Sequence, residues 1–496
     1  MNPVLDILET TAARFPEKIA IADHKKSYTF SAMCSAARRL ASVIWERVKA
    51  PAAVGVFVNR GTDTGILFLA VTYSGNFYVP LDPNLPAKKL RAILENASVS
   101  LILGDEENRE LLPIPDFSGS FLTLSEMGEV EAPIPEAHAD TPLYMVYTSG
   151  STGKPKGVLK SHGAVTSFLD AYTKTFDFSD RDVIGNQTPF FFDASAKDFY
   201  LMMKTGATLE ILPSEFFSFP VQLIRYLNER SITFISWVPT ALCIVTQLNT
   251  FLEVMPTTLR RVFFVGEVFP RKQLDKWRKA LPQLEYVNLY GSSELAGVCC
   301  YYPVEDDLPE GAPLPLGKPL CNCTVFLMDE GKPVTEPNHV GEIYISSPAL
   351  ATEYYNDPEK TKSSFFIMEL PDGTTGRVFR TGDMASYDAK GNLIFAARRD
   401  FQIKHQGRRI ELGEIEAIAD ELPQLLRCCC LYNTEKKQIT LFCELSPQCN
   451  WSPKDIRSAL RGLLTDYMMP GKIILLDRLP LNANGKIDRQ FLKSQM

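Results

Sequence analysis

The sequence predicts an α/β protein: a large N-terminal body of stacked, mostly parallel αβ layers with a distorted β-barrel part, and a small C-terminal α+β domain. Three observations predict it. Short apolar runs alternate with helical patterns along the first part of the chain. After about residue 310, short strands punctuated by Pro and Gly replace that alternation. The stretch 400–496 then carries an αβ pattern of its own.

Residues 3–20 read as an amphipathic helix, because Val4, Leu5, Ile7, Leu8 and Ala12 approximate one face. A second helical pattern covers Phe30 to Val48. Then come AAVGVFV, a helix and VSLILGD, followed further on by ATLEILP and a helix near Val221–Leu227. ITFISWVP, a helix near Ala241–Leu248, RRVFFVG and YVNLYG continue the series. Strands alternating with helices imply parallel sheets covered on both faces. So many units would strain one open sheet, which predicts more than one. TVFLMD, GEIYISS, VFRTGDMASYD and NLIFAARRD read as strands of an antiparallel, barrel-like region over about 310–399. The end of the chain reads as helix 412–421, strands 427–433 and 438–445, helix 453–466 and strand 472–477. The predicted domains are therefore 1–399 and 400–496.

With 45% hydrophobic and 22% charged residues among 496, the composition excludes a disordered chain. A net charge of −7 gives no reason to expect nucleic acid or an anionic membrane as partner. No apolar run approaches the roughly 20 residues that span a bilayer. Asp6 and Glu9 stand where a signal peptide would be basic and then apolar. The expectation is a cytoplasmic monomer with no membrane insertion. Eleven cysteines, an odd number, argue against a disulfide framework. Cys428–Cys430 and Cys299–Cys300 read as buried small hydrophobes, and Cys321 and Cys323 lack a partner pair at zinc spacing.

The strongest local signal is Thr148-Ser-Gly-Ser-Thr-Gly-Lys-Pro-Lys-Gly157, directly after the apolar strand Leu143–Tyr147. Gly150 and Gly153 let backbone N–H groups approach an anion. Thr148, Ser149, Ser151 and Thr152 add hydroxyl donors, and Lys154 and Lys156 add charge. This is the composition of a phosphate cradle, without the Walker A spacing.

The loop resembles the signature of the adenylate-forming enzymes: acyl-CoA synthetases, luciferases and adenylation domains of nonribosomal peptide synthetases. Other motifs follow in the family's order. Tyr290-Gly-Ser-Ser-Glu294 resembles YGPTE, Gly341-Glu-Ile-Tyr344 resembles GELYI, and Phe379-Arg-Thr-Gly-Asp383 resembles YRTGD. Arg398-Arg-Asp400 with Gln402 to Glu411 resembles GRxDxQVKIRGxRIE. Tyr467-Met-Met-Pro470 and Asn482-Ala-Asn-Gly-Lys-Ile-Asp488 resemble YMVP and NxNGKID.

The resemblance implies that ATP and Mg²⁺ turn a carboxylate into an acyl-adenylate. Catalysis is then positioning and charge neutralisation between two anions. By this resemblance the loop from Thr148 to Lys156 holds phosphate, and Ser293 donates to the α-phosphate beside Gly291. Glu294 holds Mg²⁺, a hard ion suited to carboxylate and phosphate oxygens. Asp383 accepts both ribose hydroxyls. Tyr290 stacks on adenine, Asn288 reads its amino group, and Arg398 contacts ribose or phosphate. Lys486 is the expected catalytic lysine. Lys404 is implied as a further catalytic residue; residues 400–496 become a lid that swivels at Asp400, and the face around Gly407 serves thioester formation. Gln406 departs from the Arg usual in the family.

By the same resemblance Asp193, in Phe191-Phe-Asp-Ala-Ser-Ala-Lys-Asp-Phe-Tyr200, pairs with a substrate α-ammonium. A buried carboxylate lacking a cation is costly, which favours an amine on the substrate. Ala194, Lys197, Ser236, Phe263, Val265, Leu289, Gly297 and Val298 complete the implied pocket. Val265 and Leu289 fill space, pointing to a small substrate. An inward Lys197 would favour an acidic one, unless it pairs with Asp198. The expected function is activation of a small, acidic or D-amino acid and its transfer to the phosphopantetheine thiol of a separate carrier protein. No carrier site follows the last lysine motif before Met496. The alternatives are an acyl-CoA synthetase for a small acid, with Asp193 incidental, and a non-catalytic nucleotide-binding protein.

Overall fold

The computed structural model describes residues 2–110, 112, 114, 117–148, 155–305, 313–399, 402–480 and 487–496. The chain forms two compact units. One comprises Met1–Pro83, Asn96–Val146 and Gly157–Arg399; the other comprises Asn84–Glu95, Tyr147–Lys156 and Asp400–Met496.

The first unit starts with a helix over Pro3–Arg14, whose Asn2 cap accepts a hydrogen bond from the Leu5 N–H. It is shorter than the expected 3–20. Pro16 disfavours helical geometry at Phe15, and Ile19–Ala22 forms a strand instead. That strand enters a sheet that has nine strands among the described residues. Its parallel part runs Glu285–Tyr290, Arg261–Val265, Phe234–Trp237, Val183–Asn186, Thr208–Ile211 and Ile19–Ala22. Antiparallel strands flank it: Cys300–Pro303 and Lys318–Pro319 on one side, Ser27–Thr29 on the other.

A second sheet, with seven strands among the described residues, has a parallel part of Pro142–Thr148, Phe77–Leu81, Ala53–Phe57, Leu101–Gly104 and Ser120–Thr123. Lys156–Ser161 lies beyond Pro142–Thr148 and pairs antiparallel with Glu353–Tyr354. The expected barrel-like region is an antiparallel sheet with six strands among the described residues. Register shifts at Glu342/Tyr344 and Met384/Ala385 interrupt its ladders, and such bulges bend a sheet.

Register determines what the large sheet presents. Ser236 lies opposite Phe263, and Val265 opposite Leu289. Because side chains alternate with period two, these four residues share one face. Phe234, Phe263, Val265, Val287 and Leu289 belong to one apolar core, whereas Ile235, Trp237, Val262, Phe264 and Tyr286 belong to another. Burying each such side chain contributes about 1.5–3 kcal/mol, so both cores hold the register.

In the second unit, Gln402–His405 and Arg408–Glu411 form a hairpin. Its turn has Gln406 at φ +53° and Gly407 at φ +75°, the pair of positive values a tight two-residue turn requires. Leu425–Asn433, Gln438–Leu445 and Lys472–Leu475 form a sheet with three strands among the described residues. The helix expected over 453–466 spans only Pro453–Leu460; it has a Ser452–Asp455 capping box, and the chain beyond it includes Gly462 at φ +85°. Cys428 and Cys430 pack into one cluster and Cys429 into another, as alternation along a strand dictates. All eleven cysteines are free thiols. Among the described residues no helix is long and apolar enough to cross a membrane.

Candidate functional site

The motifs that carry Tyr290, Asp383 and Arg398 meet inside the first unit. Tyr290 ends a central parallel strand, and the carboxyl ends of such strands are where open α/β sheets bind ligands. The Tyr290 hydroxyl donates to Asp383 Oδ2 at 2.5 Å, and Arg398 Nη1 meets Asp383 Oδ1 at 2.6 Å. Asp383 stands opposite Arg398 in the antiparallel ladder, which fixes that pair. An ionised carboxylate has about four acceptor positions, and these two bonds leave room for a vicinal diol. Asn288 Nδ2 donates to the Pro315 carbonyl at 2.7 Å. That bond engages its nitrogen, not the oxygen an adenine amino group would seek.

The loop after Tyr290 fits a phosphate. A Cβ on Gly291 would come within 2.6 Å of the Gly297 carbonyl oxygen, so only glycine fits this approach. Ser292 Oγ is buried and has no hydrogen-bond partner among the described residues. Ser293 is half-buried, and Glu294 is fully buried. Glu294 Oε1 accepts from the Tyr354 hydroxyl at 2.7 Å. Among the described residues no group of three His, Cys, Asp or Glu forms a metal cage. A single buried carboxylate suits Mg²⁺, which keeps most of its ligands as water and phosphate oxygens.

Asp193 sits in a short turn before the helix Ala196–Thr205, and its side chain is 10% exposed. The sequence reading leaves this carboxylate for a substrate ammonium. The structure supplies a cation from the protein: Lys160 Nζ bonds to Asp193 Oδ1. The Tyr144 hydroxyl donates to the same oxygen at 3.1 Å. Lys160 is fully buried, with its ammonium 5.1 Å from the centre of the Tyr144 ring. Burial pushes the Asp193 carboxyl up and the Lys160 ammonium down, and their contact opposes both. Close by, the Tyr78 and Tyr200 hydroxyls share a 2.6 Å hydrogen bond. Asp193, Tyr78, Tyr144, Phe68, Phe190 and Phe199 wall a small cavity.

The case for an acidic substrate loses its basis. Lys197 Nζ pairs with Asp198 Oδ1 at 2.7 Å, with both side chains buried. Asp198 Oδ2 also accepts from Asn186 Nδ2 at 3.1 Å. Ser236, Phe263, Val265, Leu289 and Val298 are buried, and Ala194 is half-buried. Phe263 is mainly a core residue, with its ring 4.7 Å from that of Phe176 and 5.0 Å from that of Phe234. Ser236 Oγ has no partner among the described residues. Gly297 has φ +124°, and a Cβ there would stand 2.5 Å from the Phe168 ring. Gly297→Ala is expected to cost about 1–3 kcal/mol, read as a lower urea midpoint.

Thr148 ends its strand half-buried and Lys156 opens the next. Lys404 lies on the hairpin strand Gln402–His405, opposite Arg409. Ser149, Gly150, Ser151, Thr152, Gly153, Lys154, Asp400 and Lys486 lie outside the described residues. Sequence reasoning missed Lys160 and Tyr144. One signal was present: Lys160 interrupts the apolar run Val158–Leu159 on a strand buried along Gly157–Ser161. A charge there requires a partner.

Fold and site together define a nucleotide-binding α/β enzyme. Residues 8–355 match the family model described as AMP-binding enzyme, and the chain belongs to that family. It is 29% identical over 504 residues to zwittermicin A synthase ZmaJ of Bacillus cereus, covering 98% of this chain and 94% of that protein. It is likewise 29% identical over 492 residues to tyrocidine synthase 3 of Brevibacillus parabrevis, but spans only 7% of that protein's length. The structure of holo-PA1221, a synthetase protein containing adenylation and PCP domains, superposes with a TM-score of 0.86 at 25% identity. That match covers 99% of this chain and 84% of the other.

Proposed function

We propose that the protein activates a small carboxylic acid with ATP and passes the acyl group to the phosphopantetheine thiol of a carrier protein. One carboxylate oxygen bonds to the α-phosphorus as the bond to the β-phosphate bridge breaks and pyrophosphate leaves. The thiol sulfur then bonds to the acyl carbon and AMP departs. Asp383, oriented by Tyr290 and Arg398, holds the ribose hydroxyls. The Gly291–Ser293 turn receives the α-phosphate. Glu294 would hold Mg²⁺, which supplies positive charge against the phosphates. The observation that carries this reading is the buried Asp383 carboxylate, held by two donors and with acceptor capacity to spare.

One feature of a structural neighbour supports the carrier step: holo-PA1221 contains a PCP domain beside its adenylation domain. An amino acid is the substrate that Asp193 implies by resemblance, but the Lys160 pair favours an acid without an amine. Acid-dependent exchange of labelled pyrophosphate into ATP is the expected result, with thioester formation on a phosphopantetheinylated carrier. A protein that binds ATP yet exchanges no pyrophosphate with any acid would refute the reading.

A further inference from the structure

The charges around Asp193 limit what the pocket accepts. By the resemblance, a substrate ammonium would balance this carboxylate. Here Lys160 already meets it, from a strand on which Gly157–Ser161 are all buried. Among the described residues no other carboxylate bonds to Lys160. Its ammonium has the Tyr144 ring beside it and the Asp193 carboxylate in front. The Glu294 carboxylate acts on both from further away.

At Asp193 itself the count is one cation and one carboxylate, a closed pair. A second ammonium at Asp193 would be an excess buried charge beside Lys160, and like charges in low dielectric repel strongly. Of the residues that the resemblance assigns to the pocket, Ser236, Phe263, Val265 and Leu289 share one face of the large sheet and are uncharged. Ser236 contributes a buried hydroxyl with no partner among the described residues. A hydroxyl or oxo oxygen on a substrate could satisfy it. The hydroxyls of Tyr78, Tyr144 and Tyr200 stay un-ionised, because burial pushes all three phenols up.

We infer that Lys160 stands in for the substrate ammonium, and that the enzyme activates short carboxylic acids with no charge at the α-carbon, such as α-hydroxy or α-oxo acids. This rests on the adenylation reading above. Lys160 is then a specificity-determining residue, acting through Asp193.

The test measures pyrophosphate exchange with matched pairs: glycolate against glycine, and lactate and pyruvate against both alanine enantiomers. The intact chain is expected to favour the uncharged member at least tenfold in kcat/KM. Lys160→Met leaves Asp193 without its cation, so the ratio should move at least tenfold toward the amino acids. Should that variant fail to fold, Lys160→Met combined with Asp193→Asn removes both charges and should keep the ranking of the intact chain. A preference for the amino acids in the intact protein would overturn the inference and leave the adenylation reading standing. So would an unchanged ratio in folded Lys160→Met. Exchange with neither series, nor with a wider panel of acids, would bring down the adenylation reading itself.

Discussion

Replacing Lys486 with Ala is expected to lower pyrophosphate exchange about 10²–10³-fold, the usual cost of removing one charge-stabilising donor from a reacting centre. The reasoning is electrostatic. A carboxylate approaching a phosphate is an encounter of two anions, and an ammonium between them stabilises the transition state more than the separated reactants. Lys486 holds that position in Asn-Gly-Lys-Ile-Asp488 by resemblance. Two measurements separate this role from a structural one. Exchange should collapse, while transfer from a ready-made acyl-adenylate to the carrier thiol should stay near its original rate. An equal loss in both half-reactions would assign Lys486 to the fold rather than the chemistry.

Lys197→Met is expected to destabilise the protein by about 3–5 kcal/mol, because it leaves Asp198 buried without its cation. Burial already pushes the Asp198 carboxyl up, and Lys197 is the main group pulling it back down. The bond from Asn186 is a single neutral donor and cannot replace an ion pair. The urea midpoint should fall, and pairing the change with Asp198→Asn should restore most of it. The ranking of acids in the exchange assay should not change. A shifted ranking at unchanged stability would return Lys197 to the substrate pocket.

Much of this fold is legible in the sequence because its signals are local. The alternation of RRVFFVG and YVNLYG with helical stretches gives parallel strands at Arg261–Val265 and Glu285–Tyr290. Errors fall where a local pattern continues past a break that chemistry imposes, as at Pro16 after the first helix. The nucleotide motifs are legible for the same reason: Tyr290, Glu294 and Asp383 each stand in a short, characteristic string. Lys160 and Lys197 are different. Each has an unmistakable charge, but its meaning depends on a partner and on burial. Asp193 is 33 residues from Lys160, and only the folded strand shows that the two meet.

The alternation of faces in the large sheet bears on how such a protein changes through descent. Along Phe234–Trp237 and Arg261–Val265, neighbouring positions belong to separate cores. A point mutation at Ser236 or Val265 therefore alters the face that carries the implied pocket while Ile235, Trp237 and Phe264 keep the opposite core intact. Selection for a new substrate can act on every second codon, and the intervening codons preserve the scaffold. Diversification at one set of sites is thereby uncoupled from conservation at the other.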